Sequence, residues 1–388
     1  MNRFRYLLLS LLVAMVALSS CRKEEEVVPS TRVRVGVPGR PGKIKGFFLL
    51  NEANMGSNKA TLDYYDYTTA FYTRNIYAER NPNVVKELGD VGNDLQIHGS
   101  RLYAVINVSG LIEVMDVRTA KHIGKLSIPN CRYITFKDGF AYVSSYAGPV
   151  KIDPNARLGY VAKVDTATLK VVAECPVGYQ PEELVIQGDK LYVANSGGYR
   201  APNYDKTISI IDLKTFTEEK KVNVAINLHR LQLDNYGNIW VSSRGDYKEV
   251  PSRLFVFDPK TERVTKTLDV ACSNMTLAGD SLFVYCSEWS YLTGKNTISY
   301  TVIDTKKQEV IDRNFIKDGT DKEIEKPYGL AVNREQGELY ITDAKDYLHP
   351  GRLYCYDLKT GRRKWSVEAG NIPAHFAFTT QPLQPLHH

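Results

Sequence analysis

Side chains suited to acid–base or metal chemistry are few in this 388-residue sequence. It contains seven histidines, and it lacks the His-Glu-x-x-His, Gly-x-Ser-x-Gly, phosphate-loop and EF-hand patterns. His229 and His375 occur at matching points of a repeat described below, so they could serve as acid and base. Histidines at strand ends are more often structural, and no nucleophile accompanies these two. The sequence therefore favours binding over catalysis and predicts no catalytic residue, metal or cofactor.

Tyrosine is the abundant functional group, with 25 residues against 13 phenylalanines and 3 tryptophans. Its ring is apolar and its hydroxyl stays hydrated, which enriches it at binding surfaces. Many of these tyrosines lie in long segments rich in Asn, Ser, Gly and Arg, which predict a recognition surface for a sizeable, partly flat ligand. The alternative is that individual rings only pack loop against sheet. The ligand-binding residues predicted in these segments are Asn51, Tyr146, Tyr199, Tyr204, Arg244, Tyr247, Trp289, Tyr291 and Tyr347.

A short β-rich run that ends in aspartate divides the sequence into repeats. The copies recur about every 50 residues, a period typical of repeat folds. Several are followed by Thr or Lys-Thr, and an Asp that accepts backbone N–H bonds in a tight turn explains the pattern without chemistry. These residues are therefore predicted to form hairpin turns. The seven copies end at Asp66, Asp116, Asp165, Asp212, Asp258, Asp304 and Asp357.

Each repeat contains four short strand patterns and no long amphipathic helix, which predicts an all-β, seven-bladed β-propeller. The chain enters the fold at Phe47 on a second-strand pattern, so the first blade lacks its inner strand. Ala374–Thr379 has an inner-strand pattern and is left over at the other end. We predict that this segment pairs beside Phe47–Leu50 and closes the ring.

The links between blades open on the same face as the loops between second and third strands. Function concentrates on irregular loops held by a rigid scaffold, so this face, with the channel mouth, is the predicted site. The links also carry Tyr133, Glu182 and Arg230, and they place the two histidines at neighbouring rim positions. Capping of strand ends is the alternative role for all these side chains. The link residues that complete the predicted ligand-binding set are Asn93, Arg132, His229, Tyr328 and His375.

Residues 1–20 are predicted to be a signal peptide, with two arginines followed by an apolar run that is too short to span a bilayer. The run ends in Leu-Ser-Ser-Cys21, which resembles a lipobox and predicts that Cys21 is lipidated. An ordinary signal peptide with a chance cysteine is the alternative. Residues 21–45 begin with an acidic run and are predicted to be a flexible tether. The propeller is assigned to 46–380 and a tail to 381–388.

Charge and cysteine content narrow the choice of partners. The net charge of +6 is mild for this length. The sequence has no basic cluster with interleaved aromatic residues, which argues against nucleic acid as a partner. The cysteines beyond Cys21 form no Cys-x-x-Cys pair, so they predict buried small residues rather than a zinc site, and their disulfide state stays open. These five cysteines are Cys131, Cys175, Cys272, Cys286 and Cys355.

The blade motifs, including Leu191-Tyr-Val-Ala-Asn-Ser and Ile210-Ile-Asp-Leu-Lys-Thr, resemble those of YncE-type seven-bladed propellers. Together with Cys21, the acidic tether and Asn51-Glu-Ala, they resemble the BtuG-like surface lipoproteins of Bacteroides. The resemblance covers residues 45–380 and implies a lipid-anchored outer-membrane protein that faces the cell exterior. It further implies capture of cobalamin or a related corrinoid and transfer to a TonB-dependent transporter. A surface glycan-binding propeller and a lactonase-type hydrolase are the alternatives.

Overall fold

Seven antiparallel β-sheets form a closed ring in the computed structural model, which describes residues 29–84, 87–290 and 295–385. The inner strand of every blade contacts the inner strands of both neighbouring blades, so the ring has no gap. Over these residues, none of the helices has the length and apolar character that crossing a membrane requires. The seven-bladed propeller predicted from the repeat is confirmed.

Blade 1 has five strands, and its innermost strand comes from the opposite end of the sequence. From outside to inside it contains β1 (Thr31–Arg34), β4 (Phe71–Arg74), β3 (Thr61–Asp66), β2 (Gly46–Asn51) and β29 (Pro373–Thr379). The β2–β29 register pairs Phe47 with Phe378 and Leu50 with His375. The predicted closure is therefore confirmed. A short helix, α1 (Ile76–Arg80), follows β4.

Blades 2 to 7 have four strands each, in chain order from the channel outwards. Blade 2 contains β5 (Gly92–His98), β6 (Arg101–Ile106), β7 (Leu111–Asp116) and β8 (His122–Ser127). Blade 3 contains β9 (Cys131–Lys137), β10 (Phe140–Ser145), β11 (Tyr160–Asp165) and β12 (Lys170–Pro176). Blade 4 contains β13 (Pro181–Gln187), β14 (Lys190–Asn195), β15 (Thr207–Asp212) and β16 (Thr217–Asn223), with a 3₁₀ turn at Gly198–Arg200.

The remaining three blades complete the ring. Blade 5 contains β17 (Leu228–Leu233), β18 (Ile239–Ser243), β19 (Arg253–Asp258) and β20 (Arg263–Leu268). Blade 6 contains β21 (Asn274–Ala278), β22 (Ser281–Ser290), β23 (Lys295–Asp304) and β24 (Glu309–Asp312), followed by a 3₁₀ turn at Thr320–Glu323. Blade 7 contains β25 (Pro327–Asn333), β26 (Glu338–Asp343), β27 (Arg352–Asp357) and β28 (Arg363–Glu368).

The repeated aspartates end the third strand of all seven blades and hold the turn to the fourth strand. Asp212 is typical, because its carboxylate accepts the N–H groups of Lys214 and Thr215 at 2.8 and 2.9 Å. The fourth residue after each aspartate has positive φ and ends the turn. In blades 2 to 7 the register between the third and fourth strands then shifts by one residue. The positive-φ residues of these turns are Ala70, Ala120, Leu169, Phe216, Glu262, Gln308 and Gly361. We call the face that carries these turns the turn face, and the opposite one the mouth face.

Residues 29–45 and 381–385 lie against blade 1 and the blades next to it instead of extending away from the propeller. β1 pairs with β4 over four residues, Val35 is buried, and the backbone of Arg40 bonds to the Gln336 side chain. This differs from the flexible tether predicted for 21–45, because backbone pairing at the open edge of β4 needs little apolar side-chain area. Residues 21–28, including the predicted lipidation site Cys21, lie outside the described residues. The cysteines of the propeller are all buried and unpaired.

Candidate functional site

A cavity of about 540 Å³ opens at the centre of the mouth face. Its wall is formed by the ends of the inner strands and by loops between second and third strands, the two segments in which the sequence placed the site. Nine of the fourteen predicted ligand-binding residues line it. These nine are Asn93, Arg132, Tyr199, His229, Arg244, Tyr247, Tyr328, Tyr347 and His375.

The other five predicted residues do not line this cavity in the described structure. Asn51 is fully buried, and its amide donates to Oγ1 of Thr61 at 3.0 Å. Tyr146 is buried and lines a second cavity on the same face, of about 620 Å³. Tyr204 lies on the loop after the 3₁₀ turn of blade 4, outside both cavities. Tyr291 and the side chain of Trp289 lie outside the described residues.

β-Bulges direct inner-strand side chains into the cavity. In β9, β13, β17 and β25, two consecutive residues oppose a single residue of the second strand. A bulge breaks the alternation of side chains across a strand, so both residues can turn towards the channel. At the bulge of blade 5 the backbone N–H of Arg230 has no partner in the strand ladder and donates to Oγ of Ser242 at 2.9 Å. Ser144 and Thr342 accept the corresponding N–H groups in blades 3 and 7.

Glu182 of blade 4 joins two arginines from the neighbouring blades. Its carboxylate accepts from Arg132 at 3.1 Å and from Arg244 at 3.0 Å, and the hydroxyl of Tyr146 donates to it. Burial acts to raise the pKa of Glu182, but the two guanidinium groups outweigh it and hold the pKa below its usual value. Glu182 is therefore ionised and fixes both arginines at the cavity wall.

Glu183 makes a second ion pair next to the first. It lies 3.2 Å from Nε of Arg230 and accepts the N–H of Leu231 at 2.7 Å. Burial raises the pKa of Glu183 to about 7. Blade 4 thus supplies two consecutive carboxylates, and the blades on either side supply the cations that pair with them.

The opposite wall of the cavity contains a third polar group, centred on Glu52. Its carboxylate lies 2.9 Å from Nε2 of His375 and accepts a hydrogen bond of 2.7 Å from the Tyr328 hydroxyl. Tyr328 packs edge to face on Tyr347, with ring centroids 6.2 Å apart. Glu52 fixes the orientation of both partners.

His229 and His375 do not form the acid–base pair that the sequence allowed. His229 belongs to blade 5 and His375 to blade 1, so the inner strands of blades 6 and 7 separate them. Nε2 of His229 is hydrogen-bonded to the Tyr133 hydroxyl at 2.8 Å. Burial and the nearby arginines hold the pKa of His229 well below its ordinary value, so the imidazole is neutral at pH 7. The predicted neighbouring positions were wrong because chain order places two blades between them.

Two loops of the same design present tyrosines at the rim. In blades 5 and 7, the carboxylate of an aspartate accepts hydrogen bonds from the backbone N–H groups two and three positions later in the chain. The tyrosine that directly follows this aspartate has positive φ. Tyr247, after Asp246, has 61 % of its surface exposed, and Tyr347, after Asp346, has 38 %. Exposed aromatic rings beside a polar cavity are typical of binding surfaces.

The family model for the domain of unknown function DUF5074 matches residues 45–379. The chain belongs to the DUF5074 family. None of the curated proteins matches its sequence.

Two solved structures show what other proteins share the fold of this DUF5074 chain. A hypothetical selenium-binding protein from Sulfolobus tokodaii has a TM-score of 0.63 and 10 % identity, with 88 % of this chain and 95 % of that one covered. The hydrazine synthase of Kuenenia stuttgartiensis has a TM-score of 0.56 and 18 % identity, with 69 % of this chain and 77 % of that one covered. At these identities the likeness extends to the propeller fold alone.

Several residues that build the site in this DUF5074 propeller were absent from the predicted set. Glu52 follows Asn51 directly and lines the cavity at the position predicted for Asn51. Arg230 and Tyr133 were noted at the mouth but not selected, and Glu183 was not noted. The available signal was the pair of consecutive polar residues that precedes an inner-strand leucine or isoleucine, as in Glu182-Glu183-Leu and His229-Arg230-Leu.

Proposed function

We propose that this propeller is a binding protein that captures a sizeable amphipathic ligand at the mouth of its central channel. The observation that carries the proposal is the pair of Asp–Tyr loops, which hold Tyr247 and Tyr347 exposed and at positive φ beside a polar cavity. Exposed rings over a cavity with convergent polar groups are typical of ligand sites.

The state of the two cavity histidines favours binding over hydrolysis. His229 is hydrogen-bonded to Tyr133, and His375 is bonded to Glu52. A general base needs a nucleophile within hydrogen-bond reach. Nε2 of each histidine instead contacts a side chain that is part of the cavity wall. A lactonase-type hydrolase is therefore the weaker candidate.

A corrinoid such as cobalamin is the ligand we propose. It is a broad macrocycle whose edge carries amides, which need both hydrogen-bond donors and acceptors. The cavity wall offers such groups in Asn93, Asn274, Ser273 and Ser287, next to the tyrosine rings. Because the macrocycle is larger than the cavity, it would rest on the rim tyrosines with one edge inserted. The proposal also draws on the resemblance of the blade motifs to BtuG-like lipoproteins.

We further propose that the protein is anchored to the outer membrane through Cys21 and faces the cell exterior. In that position it would pass its ligand to a TonB-dependent transporter. The lipobox-like Leu-Ser-Ser-Cys21 and the acidic residues behind it support this arrangement. Multiple acyl chains on one cysteine give stable membrane attachment.

Isothermal titration of the chain that starts at residue 22, with cyanocobalamin and with a panel of oligosaccharides, tests the ligand. We expect cobalamin to bind and Tyr247→Ala and Tyr347→Ala each to weaken binding at least tenfold without changing the melting temperature. Tyr236→Ala is the matched control, because Tyr236 is 41 % exposed but lies in a turn outside the mouth cavity. Heat with an oligosaccharide and none with cobalamin would instead support the glycan-binding alternative.

A further inference from the structure

Three guanidinium groups lie close together in the wall of the mouth cavity. Arg132 comes from β9, Arg230 from β17 and Arg244 from the loop after β18, and their side chains are 13, 14 and 24 % exposed. The ring of Tyr133 lies between the first two, with its centroid 6.0 Å from Arg132 and 5.4 Å from Arg230. We call these three residues the arginine cluster.

The carboxylates that balance the arginine cluster lie behind it. Glu182 has 1 % of its side chain exposed, and among the described residues that line the cavity neither Glu182 nor Glu183 occurs. The carboxylate that does line the cavity is Glu52, which is bonded to Tyr328 and His375 on the opposite side. The surface offered to a ligand by blades 3 to 5 is therefore cationic.

The arginine cluster keeps donors that its carboxylates do not use. A guanidinium group has five N–H donors. Arg132 directs Nε and Nη2 to Glu182, and Arg244 directs Nη1 to the same carboxylate. The ion pairs fix the planes of both groups and leave N–H donors that can face the cavity. A preorganised guanidinium loses little entropy when it binds a second partner.

We propose that the arginine cluster is a subsite for an oxyanion of the phosphate type carried by the ligand. Guanidinium groups match the oxygen spacing of phosphates and bind them through two parallel hydrogen bonds. An anion bound among the three groups would neutralise the positive charge that Glu182 and Glu183 leave uncompensated. This inference rests on the proposed function, since it states which chemical group of the captured molecule faces blades 3 to 5.

Inorganic phosphate is the first probe of the subsite. Full-length protein in detergent is titrated with phosphate at low salt by calorimetry, as wild type and as Arg244→Gln, Arg244→Lys and Arg132→Gln. We expect phosphate to bind, at least tenfold more weakly in both glutamine variants, with partial recovery in Arg244→Lys. Arg263→Gln is the control, because Arg263 is exposed at the start of β20, next to a turn of the turn face. Circular dichroism and melting curves verify that each variant is folded.

Equal phosphate affinity in wild type and in Arg244→Gln, or no phosphate binding at all, would overturn the subsite. The residue Arg244 is the most exposed of the three and lies on a loop, so its replacement is the least disturbing to the fold. If Arg132→Gln does not fold, Arg244→Gln alone decides the result.

A second comparison distinguishes a free phosphate site from a phosphodiester subsite. Cobalamin contains a phosphodiester, and cobinamide is the corrinoid that lacks it. We expect Arg244→Gln to weaken cobalamin at least tenfold and cobinamide less than threefold. An equal loss for both corrinoids would overturn the assignment to the phosphodiester. If neither corrinoid binds while phosphate still does, the proposed ligand is wrong and the anion subsite stands.

Discussion

The hydroxyl of Tyr133 and Nε2 of His229 are 2.8 Å apart, although the two residues belong to blades 3 and 5. Blade 4 lies between these two blades, and the end of its inner strand carries the ion-paired Glu182 and Glu183. Burial raises the pKa of Tyr133 to about 12, so an un-ionised phenol shares this hydrogen bond with the neutral imidazole. The contact ties three successive blades together at the mouth.

Removing that hydroxyl should destabilise the protein. We expect Tyr133→Phe to lower the free energy of unfolding by about 1 to 3 kcal/mol, because it leaves Nε2 of His229 buried without its hydrogen-bond partner. Tyr300→Phe is the matched control, since the Tyr300 hydroxyl is buried and has no hydrogen-bond partner among the described residues. Urea unfolding at pH 7.5 measures both. A loss in Tyr300→Phe as large as in Tyr133→Phe would contradict the role given to the bond.

His229 should make stability depend on pH. Its pKa is depressed in the folded state, so below the unfolded value of 6.5 the unfolded chain binds a proton that the folded chain does not. The contribution of His229 to stability is therefore complete above pH 6.5 and declines as the pH is lowered, by up to about 1.4 kcal/mol for each further pH unit. His229→Gln has no proton to bind and should lose this part of the decline. Unfolding curves of both proteins at pH 5, 6 and 7.5 would show it, and parallel profiles would refute the assignment.

Alanine substitutions at two glycines with almost the same φ can distinguish the cost of backbone strain from the cost of a steric clash. Gly337 has φ of 66° and open space where a Cβ would lie, whereas at Gly361, with φ of 65°, a Cβ would lie 2.5 Å from the carbonyl oxygen of Phe315. We expect Gly337→Ala to cost about 1 kcal/mol from the left-handed conformation alone. Gly361→Ala should cost at least about 1 kcal/mol more, because Phe315 must move. Thermal unfolding of both variants measures the difference, and equal losses would exclude the contact.

The ring closure should depend on Phe47. Its side chain is fully buried and packs at ring-centroid distances of 5.3 Å from Tyr65, 4.9 Å from Tyr340 and 5.5 Å from Phe376. It thus links β2 to the C-terminal strand and to blade 7. We expect Phe47→Ala to lower the free energy of unfolding by about 3 to 5 kcal/mol. Phe378→Ala, opposite it in the register and only partly buried, should cost clearly less in the same denaturant titration.

The fold could be predicted from the sequence because each blade contains the same short local sequence patterns. The aspartate at the end of a third strand and the left-handed residue four positions later are contained in one turn, so Asp212 and Phe216 need no distant partner to be recognised. The closure of the ring could be predicted for a related reason. Ala374–Thr379 has an inner-strand pattern without strands of its own, and the first blade was the one blade that lacked an inner strand.

The site was only partly readable because its geometry depends on bulges. A period of two predicts that Glu182 and Glu183 point to opposite sides of β13, whereas the bulge places both at the mouth. The exchange of Asn51 for Glu52 in the cavity has a simpler origin. Consecutive residues of an extended chain point to opposite sides, and the Asn51 amide points into the blade, where it bonds to Thr61. The pairing of β1 was also missed, since it depends on backbone groups at the free edge of β4 rather than on composition.

The two ends of the described chain meet at one place. Arg32 of β1 and Leu383, Gln384 and Pro385 of the C-terminal segment line the same cleft, on the outer edge of blade 1. A linker of a few residues could therefore join them, and the chain could be reopened at a turn of another blade without removing any contact of the ring. The order of the blades along the polypeptide is in this sense a matter of where synthesis starts, and a circular permutant should keep the mouth cavity intact.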